Sequence, residues 1–236
     1  MRFLTMLTVL LCLSGTSIAN NPESVTSSTA LSYDPGRDTV VSQFPSATWQ
    51  AQSASSSWGS EIADGIPAEF SGMDFIDVTL FCAQWSYGQE LNGSEYVTPD
   101  ALVITIYDGV CPPEMEADMV FTIPWGELET ELVFSGSLLY VYACTATLPE
   151  AITITETMSI GGYVNISWGQ DPPFNGLVEA PQVNDCAAYW DFSDFGYPRW
   201  SPLEWYGTGI DLAYILGSAP VANEPVSWGT IKSLYR

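Results

Sequence analysis

The chain has 236 residues, and 28 Asp and Glu residues against five Lys and Arg residues give it a formal net charge of −23. A negative field of this size repels nucleic acid and anionic lipid, so polyanionic partners are disfavoured. The chain has no histidine, which also excludes Ser-His-Asp and Cys-His catalytic arrangements.

Residues 1–19 have the features of a secretory signal peptide. Arg2 precedes the apolar run from Phe3 to Leu13, and the small residues Ser17 and Ala19 fit a cleavage site. This run is shorter than the roughly 20 residues of a membrane-spanning helix, and no later stretch reaches that length. We therefore expect an exported protein with no transmembrane segment after signal cleavage.

The rest of the chain divides by composition into three parts. Residues 20–37 are rich in Ser, Thr, Asn and Pro and predict a flexible leader. Residues 38–218 form the predicted domain. Residues 219–236 comprise a short linker and a tail, VSWGTIKSLYR, which contains Lys232 and Arg236. The tail is predicted either to dock on the domain as a terminal helix or strand, or to act as a sorting or attachment signal.

Within the domain, apolar residues recur with the period of two that is typical of strands. The clearest runs are Leu102, Ile104 and Ile106; Ile152 and Ile154; and Val164, Ile166 and Trp168. Helix candidates are limited to a turn over Pro113 to Met119 and to Gly126 to Val133, which we assign as a strand. Without long helices a parallel sheet has no crossover connections. The sequence therefore predicts an all-β fold, an antiparallel β-sandwich of the jelly-roll or Greek-key type.

Aromatic residues are concentrated between Cys186 and Tyr206, where Gly, Pro and acidic residues separate them. Aromatic rings stack on the C–H faces of sugars, and neighbouring carboxylates accept hydrogen bonds from sugar hydroxyls. Packing of the same rings as a small core at the end of the sandwich is the alternative interpretation. The candidate ligand-binding residues are Tyr189, Trp190, Asp191, Asp194, Trp200 and Trp205.

Four cysteines follow the predicted signal: Cys82, Cys111, Cys144 and Cys186. An even number of cysteines in an exported chain predicts two disulfides. Four cysteines can pair in three ways, and the spacing along the sequence does not select one of them. Pairing of Cys82 with Cys144 is preferred because both lie in predicted strands; Cys111 and Cys186 would form the other bond. A zinc site is disfavoured because there is no histidine and no Cys-x-x-Cys motif.

Calcium is the ion that this composition favours, because carboxylate and carbonyl oxygens are plentiful. The candidate loops are Asp108 with Glu114, Glu116 and Asp118, and the turn from Asp191 to Asp194. Neither matches the EF-hand pattern, so the alternative is that these are solvated acidic loops.

Six short segments follow one another along the domain: EIADGIPAEF with IDVTLF, then ALVITIYDG, LLYVYAC, GGYVNISWG and DLAYILGS. Together they resemble an uncharacterised class of secreted bacterial β-sandwich modules, over residues 38–218. In that class an Ala-Asp pair and an aromatic open the domain, and an Asp-Leu-aromatic strand closes it. The positions that match are Ala63, Asp64 and Phe70, and Asp211, Leu212 and Tyr214.

This resemblance implies a sandwich fold and a location outside the cell or on the bacterial cell surface, and it contains no catalytic signature. The tail VSWGTIKSLYR resembles the carboxy-terminal tails of some secreted bacterial proteins, which implies a role in export or surface retention. The expected function is therefore a non-enzymatic module that binds a polysaccharide or a surface protein. A structural or interaction domain without a small ligand is the alternative, and a two-carboxylate glycoside hydrolase is the third.

Overall fold

The computed structural model describes residues 39–45, 50–56, 59–85, 98–109, 116–136, 139–166, 174–182, 188–191, 200–205 and 208–218. The strands of these residues are, in chain order, β1 (Thr39–Gln43), β2 (Ala51–Ser53), β3 (Glu61–Gly65), β4 (Asp74–Trp85), β5 (Ala101–Asp108), β6 (Met119–Pro124), β7 (Glu129–Ser135), β8 (Leu139–Thr153), β9 (Met158–Asn165), β10 (Phe174–Pro181), β11 (Tyr189–Asp191), β12 (Ser201–Pro202), β13 (Glu204–Trp205), β14 (Thr208–Leu212) and β15 (Tyr214–Gly217). Short 3-10 helices lie at Ala68–Phe70 and Trp125–Glu127.

The strands form two sheets that pack face to face. Nine strands make the first sheet, in which the path β1-β15-β4-β10-β14-β13 is extended by β2 on β10 and by β8 and β7 beyond β4. The second sheet has six strands in the order β12-β11-β3-β9-β5-β6. All the strand pairs that the structure describes are antiparallel, which confirms the predicted all-β antiparallel sandwich.

The long strand β4 organises the nine-stranded sheet. One edge of β4 pairs with β8 along nearly its whole length, and the other edge pairs first with β15 and then with β10. Strand β15 in turn pairs with β1, so the first and last described strands are neighbours. The chain changes sheet repeatedly, since β3, β5 and β9 belong to one sheet and β4, β8 and β10 to the other.

The core between the sheets is built by alternate residues of these strands, as the period of two predicts. Leu102, Ile104 and Ile106 of β5 have no exposed surface and belong to one apolar cluster with Leu80 and Tyr214 of the opposite sheet. Strands β5 and β9 are also buried on their outward side, whereas the sequence predicted half-buried strands. The predicted strand over Gly126 to Val133 is found from Glu129 onward.

Several predictions on chain organisation concern residues outside those that the structure describes. These are the signal peptide, the leader, the tail, the region around Pro113 and Trp168. No helix among the described residues is long and apolar enough to cross a membrane.

Two glycines in β9 allow its neighbouring strands to approach closely. A Cβ atom on Gly162 would lie 2.2 Å from the carbonyl oxygen of Val103, and one on Gly161 would lie 2.5 Å from that of Ile62. Both contacts are with backbone, which cannot move aside without shifting a strand. Residues larger than glycine are therefore excluded at the centre of the six-stranded sheet.

We expect Gly162→Ala to lower the free energy of unfolding by about 1–3 kcal/mol or more, because the methyl group overlaps the Val103 carbonyl. Gly126→Ala is the matched control, since a Cβ atom there meets nothing within 4 Å. Urea unfolding of both variants measures the difference. Equal stabilities would show that β9 relaxes to accept a side chain.

Candidate functional site

The structure describes three of the six candidate ligand-binding side chains. Tyr189 and Asp191 lie half-buried on β11, and Trp200, just before β12, is only 7% exposed. The backbones of Trp190 and Trp205 lie in β11 and β13, but their side chains are outside the described part. Asp194 lies outside it altogether.

Tyr189 and Asp191 belong to one face of the six-stranded sheet. We call the side that points away from the other sheet the outer face; it carries Glu61, Ala63, Thr105, Tyr107, Ser159, Gly161, Tyr163, Tyr189 and Asp191. Register places Tyr189 opposite Ala63 and Asp191 opposite Glu61. Ala63 in turn lies opposite Gly161, so the strands themselves place little side-chain volume at the middle of the face, and Trp200 covers it.

Glu61 extends across this low centre. Its Oε1 atom accepts a hydrogen bond of 2.7 Å from the Tyr107 hydroxyl and another from the Thr105 hydroxyl. Both donors are on β5, and β9 runs between β3 and β5. Because Gly161 has no side chain, the Glu61 side chain can cross β9. The result is a half-buried carboxylate fixed in orientation near the middle of the outer face.

Tyr163 adds a half-buried ring beside this carboxylate. Burial raises the pKa of the Tyr163 hydroxyl, and the nearby negative charge of Glu61 raises it further. The phenol is therefore neutral at physiological pH and can donate a hydrogen bond. Tyr163 and Tyr189 give the face two partly exposed rings, and Glu61 and Asp191 give it two acceptors.

Trp200 is packed against the outer face and is not an exposed ring on which a sugar could stack. Its ring packs edge-on against Tyr107, with ring centroids 5.4 Å apart and planes at 85°, and it also covers Ala63. Its φ of 56° lies in the left-handed region, which is uncommon for a large residue. Within the described residues, its Nε1 atom and the buried Ser159 hydroxyl make no hydrogen bond. For Trp200, then, the packing interpretation describes the geometry.

A second polar group lies in the core between the sheets, where Asp64 and Asp211 are 1% and 0% exposed. Asp64 Oδ2 accepts hydrogen bonds from Gln43 Nε2 at 2.8 Å and from the Leu212 amide at 2.9 Å. Gln43 also donates to the Leu212 carbonyl at 3.1 Å. These bonds join β3 of one sheet to β1 and β14 of the other.

Burial raises the pKa of Asp64 well above its ordinary range, and the negative charge of Asp211 adds to the rise. Hydrogen bonds from Leu212, Gln43 and Gly65 act in the opposite direction without cancelling it. The pKa of Tyr214 is likewise raised by burial and then by the two carboxylates. The sequence marked Asp64 and Asp211 through the resemblance; their meeting in space depends on the fold.

The predicted calcium loops are only partly described. Asp118 Oδ2 accepts the Asp108 amide at 2.7 Å, and Asp108 Oδ1 accepts the Thr155 hydroxyl at 2.8 Å. These carboxylates thus tie together the ends of β5 and β6. Glu116 is exposed, whereas Glu114 and Asp194 lie outside the described residues. Among the residues that the structure covers, no group of three or more His, Cys, Asp or Glu side chains could hold a metal ion.

Cys82 and Cys144 are free, buried thiols in the structure, so the preferred disulfide between them is not formed. The register explains this difference, because Cys82 lies opposite Tyr142 and Cys144 lies opposite Leu80. The two cysteines are diagonal neighbours, a position in which Cα atoms are roughly 7–8 Å apart. Disulfides usually need about 4.4–6.8 Å. Cys111 and Cys186 lie outside the described residues.

Comparisons of the chain with protein-family models, with curated proteins and with solved structures found no match.

We expect Cys82 and Cys144 to react with a thiol reagent only when the protein unfolds. Burial raises the pKa of the Cys144 thiol well above its ordinary value, and Cys82 contributes to the rise, whereas the reactive species is the thiolate. Peptide mapping after alkylation, with and without urea and without reductant, measures this. Fast labelling of the native protein, or no labelling of either cysteine in urea, would contradict the structure.

Proposed function

We propose that this protein is a non-enzymatic extracellular or cell-surface module that binds carbohydrate through the outer face of its six-stranded sheet. The observation that carries the proposal is the position of Glu61, which Tyr107 and Thr105 hold at the centre of the face. A carboxylate fixed in this way is an acceptor for sugar hydroxyls that needs no reorganisation on binding.

The neighbouring rings supply the apolar part of a sugar site. Tyr163 and Tyr189 are half-buried, so part of each ring is exposed and part is held by the sheet. Asp191 lies opposite Glu61 and provides a second acceptor. Trp200 covers Ala63, so the partly exposed part of the face that a ligand can reach is formed by Glu61, Tyr163, Tyr189 and Asp191. Carbohydrate sites combine these elements of aromatic surface and convergent polar groups.

A structural or interaction domain without a small ligand is the second candidate. Burial of Trp200 against Tyr107 favours it, because the largest described ring of the aromatic segment is used for packing. The two candidates differ in whether the polar groups of the outer face have a ligand. Export, which the amino-terminal sequence implies, and a surface location, which the resemblance implies, are part of both proposals.

A glycan array followed by calorimetric titration tests the proposal. We expect Tyr163→Ala and Tyr189→Ala each to weaken binding of the best glycan about ten-fold, because each removes a stacking surface. Glu61→Gln should weaken it roughly 10- to 100-fold through loss of a charged acceptor, while its remaining amide oxygen still accepts from Tyr107.

Matched controls lie on the other sheet. Tyr140→Ala removes a half-buried ring from β8, and Glu129→Gln removes an exposed carboxylate from β7. Both variants should bind as the unaltered protein does. If no glycan binds, or if the control variants lose as much affinity as the outer-face variants, the second candidate is favoured.

A further inference from the structure

The two oxygens of the Asp64 carboxyl group have different surroundings. Oδ2 accepts hydrogen bonds from Gln43 and from the Leu212 amide, whereas no hydrogen bond of ordinary geometry reaches Oδ1; the Gly65 amide acts on the carboxylate more weakly than those two donors. An ionised carboxylate would place half of its charge on Oδ1 in the core, at great cost in free energy. Protonation removes that charge: Oδ2 is then the carbonyl oxygen that accepts both hydrogen bonds, and Oδ1 carries the proton.

The groups that face Asp64 support the neutral form. Strand β1 contributes Gln43, and β9 contributes Ile160, the residue opposite Asp64; neither side chain titrates. The titratable groups are Asp211 of β14, whose negative charge raises the pKa of Asp64, and Tyr214 of β15, whose own pKa is raised by burial and by the two carboxylates. None of the five Lys and Arg residues of the chain lies in the part that the structure describes.

We propose that Asp64 is a proton-operated latch between the two sheets, which holds them together while its carboxyl group is protonated and loosens them when it ionises. The latch joins β3 to β1 and to the break between β14 and β15, so it acts where the first and last described strands meet the opposite sheet. This property is independent of glycan binding, because Asp64 points into the core.

The direction of the effect follows from the raised pKa of Asp64. The unfolded chain loses this proton near the ordinary aspartate pKa of about 3.9, whereas the folded protein keeps it to a higher pH. The proton's contribution to stability is therefore full below the unfolded pKa and is lost as pH rises through the folded pKa. In that interval each pH unit lowers the folding equilibrium constant by up to about ten-fold.

The test is urea unfolding of the full chain between pH 5 and pH 7.5, where ordinary carboxylates are ionised and thiols and tyrosines are still neutral. We expect the unfolding midpoint of the unaltered protein to fall as the pH rises. Asp64→Asn should show a smaller slope, to which Glu179, whose pKa burial also raises, still contributes, and should be the more stable protein at pH 7.5, because an amide keeps the acceptor and cannot ionise. Asp74→Asn, at an exposed aspartate on β4, is the matched control and should keep the original slope.

Carbon-13 NMR of the Asp64 carboxyl group provides a second readout that does not depend on folding of the variant. A carboxyl resonance that titrates well above pH 4 supports the latch; one that titrates near pH 4, or a slope undiminished in Asp64→Asn, overturns it. Calcium bound by the Asp64 oxygens is the remaining alternative to a proton. If added Ca²⁺ at pH 8 raises the midpoint of the unaltered protein but not that of Asp64→Asn, the oxygens hold a metal ion and the proton latch is wrong.

Discussion

A polar contact inside an apolar core fixes how the two sheets meet. Asp64 enters the core from β3, and its partners Gln43 and Leu212 belong to the opposite sheet. Apolar residues around it, such as Leu80 and Ile160, would tolerate small shifts of one sheet over the other with little change in buried area. Hydrogen bonds of 2.8 and 2.9 Å do not tolerate such shifts, so the network specifies one arrangement.

The same contact determines the geometry of the outer face, because side chains alternate along a strand. When Asp64 and Ile62 point into the core, Glu61 and Ala63 must point outward from the same short strand. A shift of one residue in β3 would bury Glu61 and expose Asp64. Glu61 then reaches Tyr107 across β9, because Gly161 of β9 has no side chain in the way. The buried network and the proposed binding surface are therefore two consequences of one register.

The sequence predicted the parts of this arrangement that depend on local periodicity. Leu102, Ile104 and Ile106 were correctly assigned to one buried face, and the sandwich follows from many such strands with no long helix. The sequence did not identify Glu61 or Tyr107, because their hydrogen bond joins residues 46 positions apart across a third strand. The disulfide preference failed for a similar reason: strand membership places Cys82 and Cys144 near each other, but only the register shows that they are diagonal. Trp200 was selected by composition, which cannot distinguish a packed ring from an exposed one.

A double-mutant cycle between Gln43 and Asp64 tests the central claim most directly. The free energies of unfolding of Gln43→Ala, Asp64→Ala and the double variant are measured at pH 6, and the coupling energy is their departure from additivity. We expect a coupling energy of at least about 1 kcal/mol, because each residue depends on the other for its buried hydrogen bond. Additivity within roughly 0.3–0.5 kcal/mol would mean that the two residues act independently and that apolar packing alone sets the sheet arrangement.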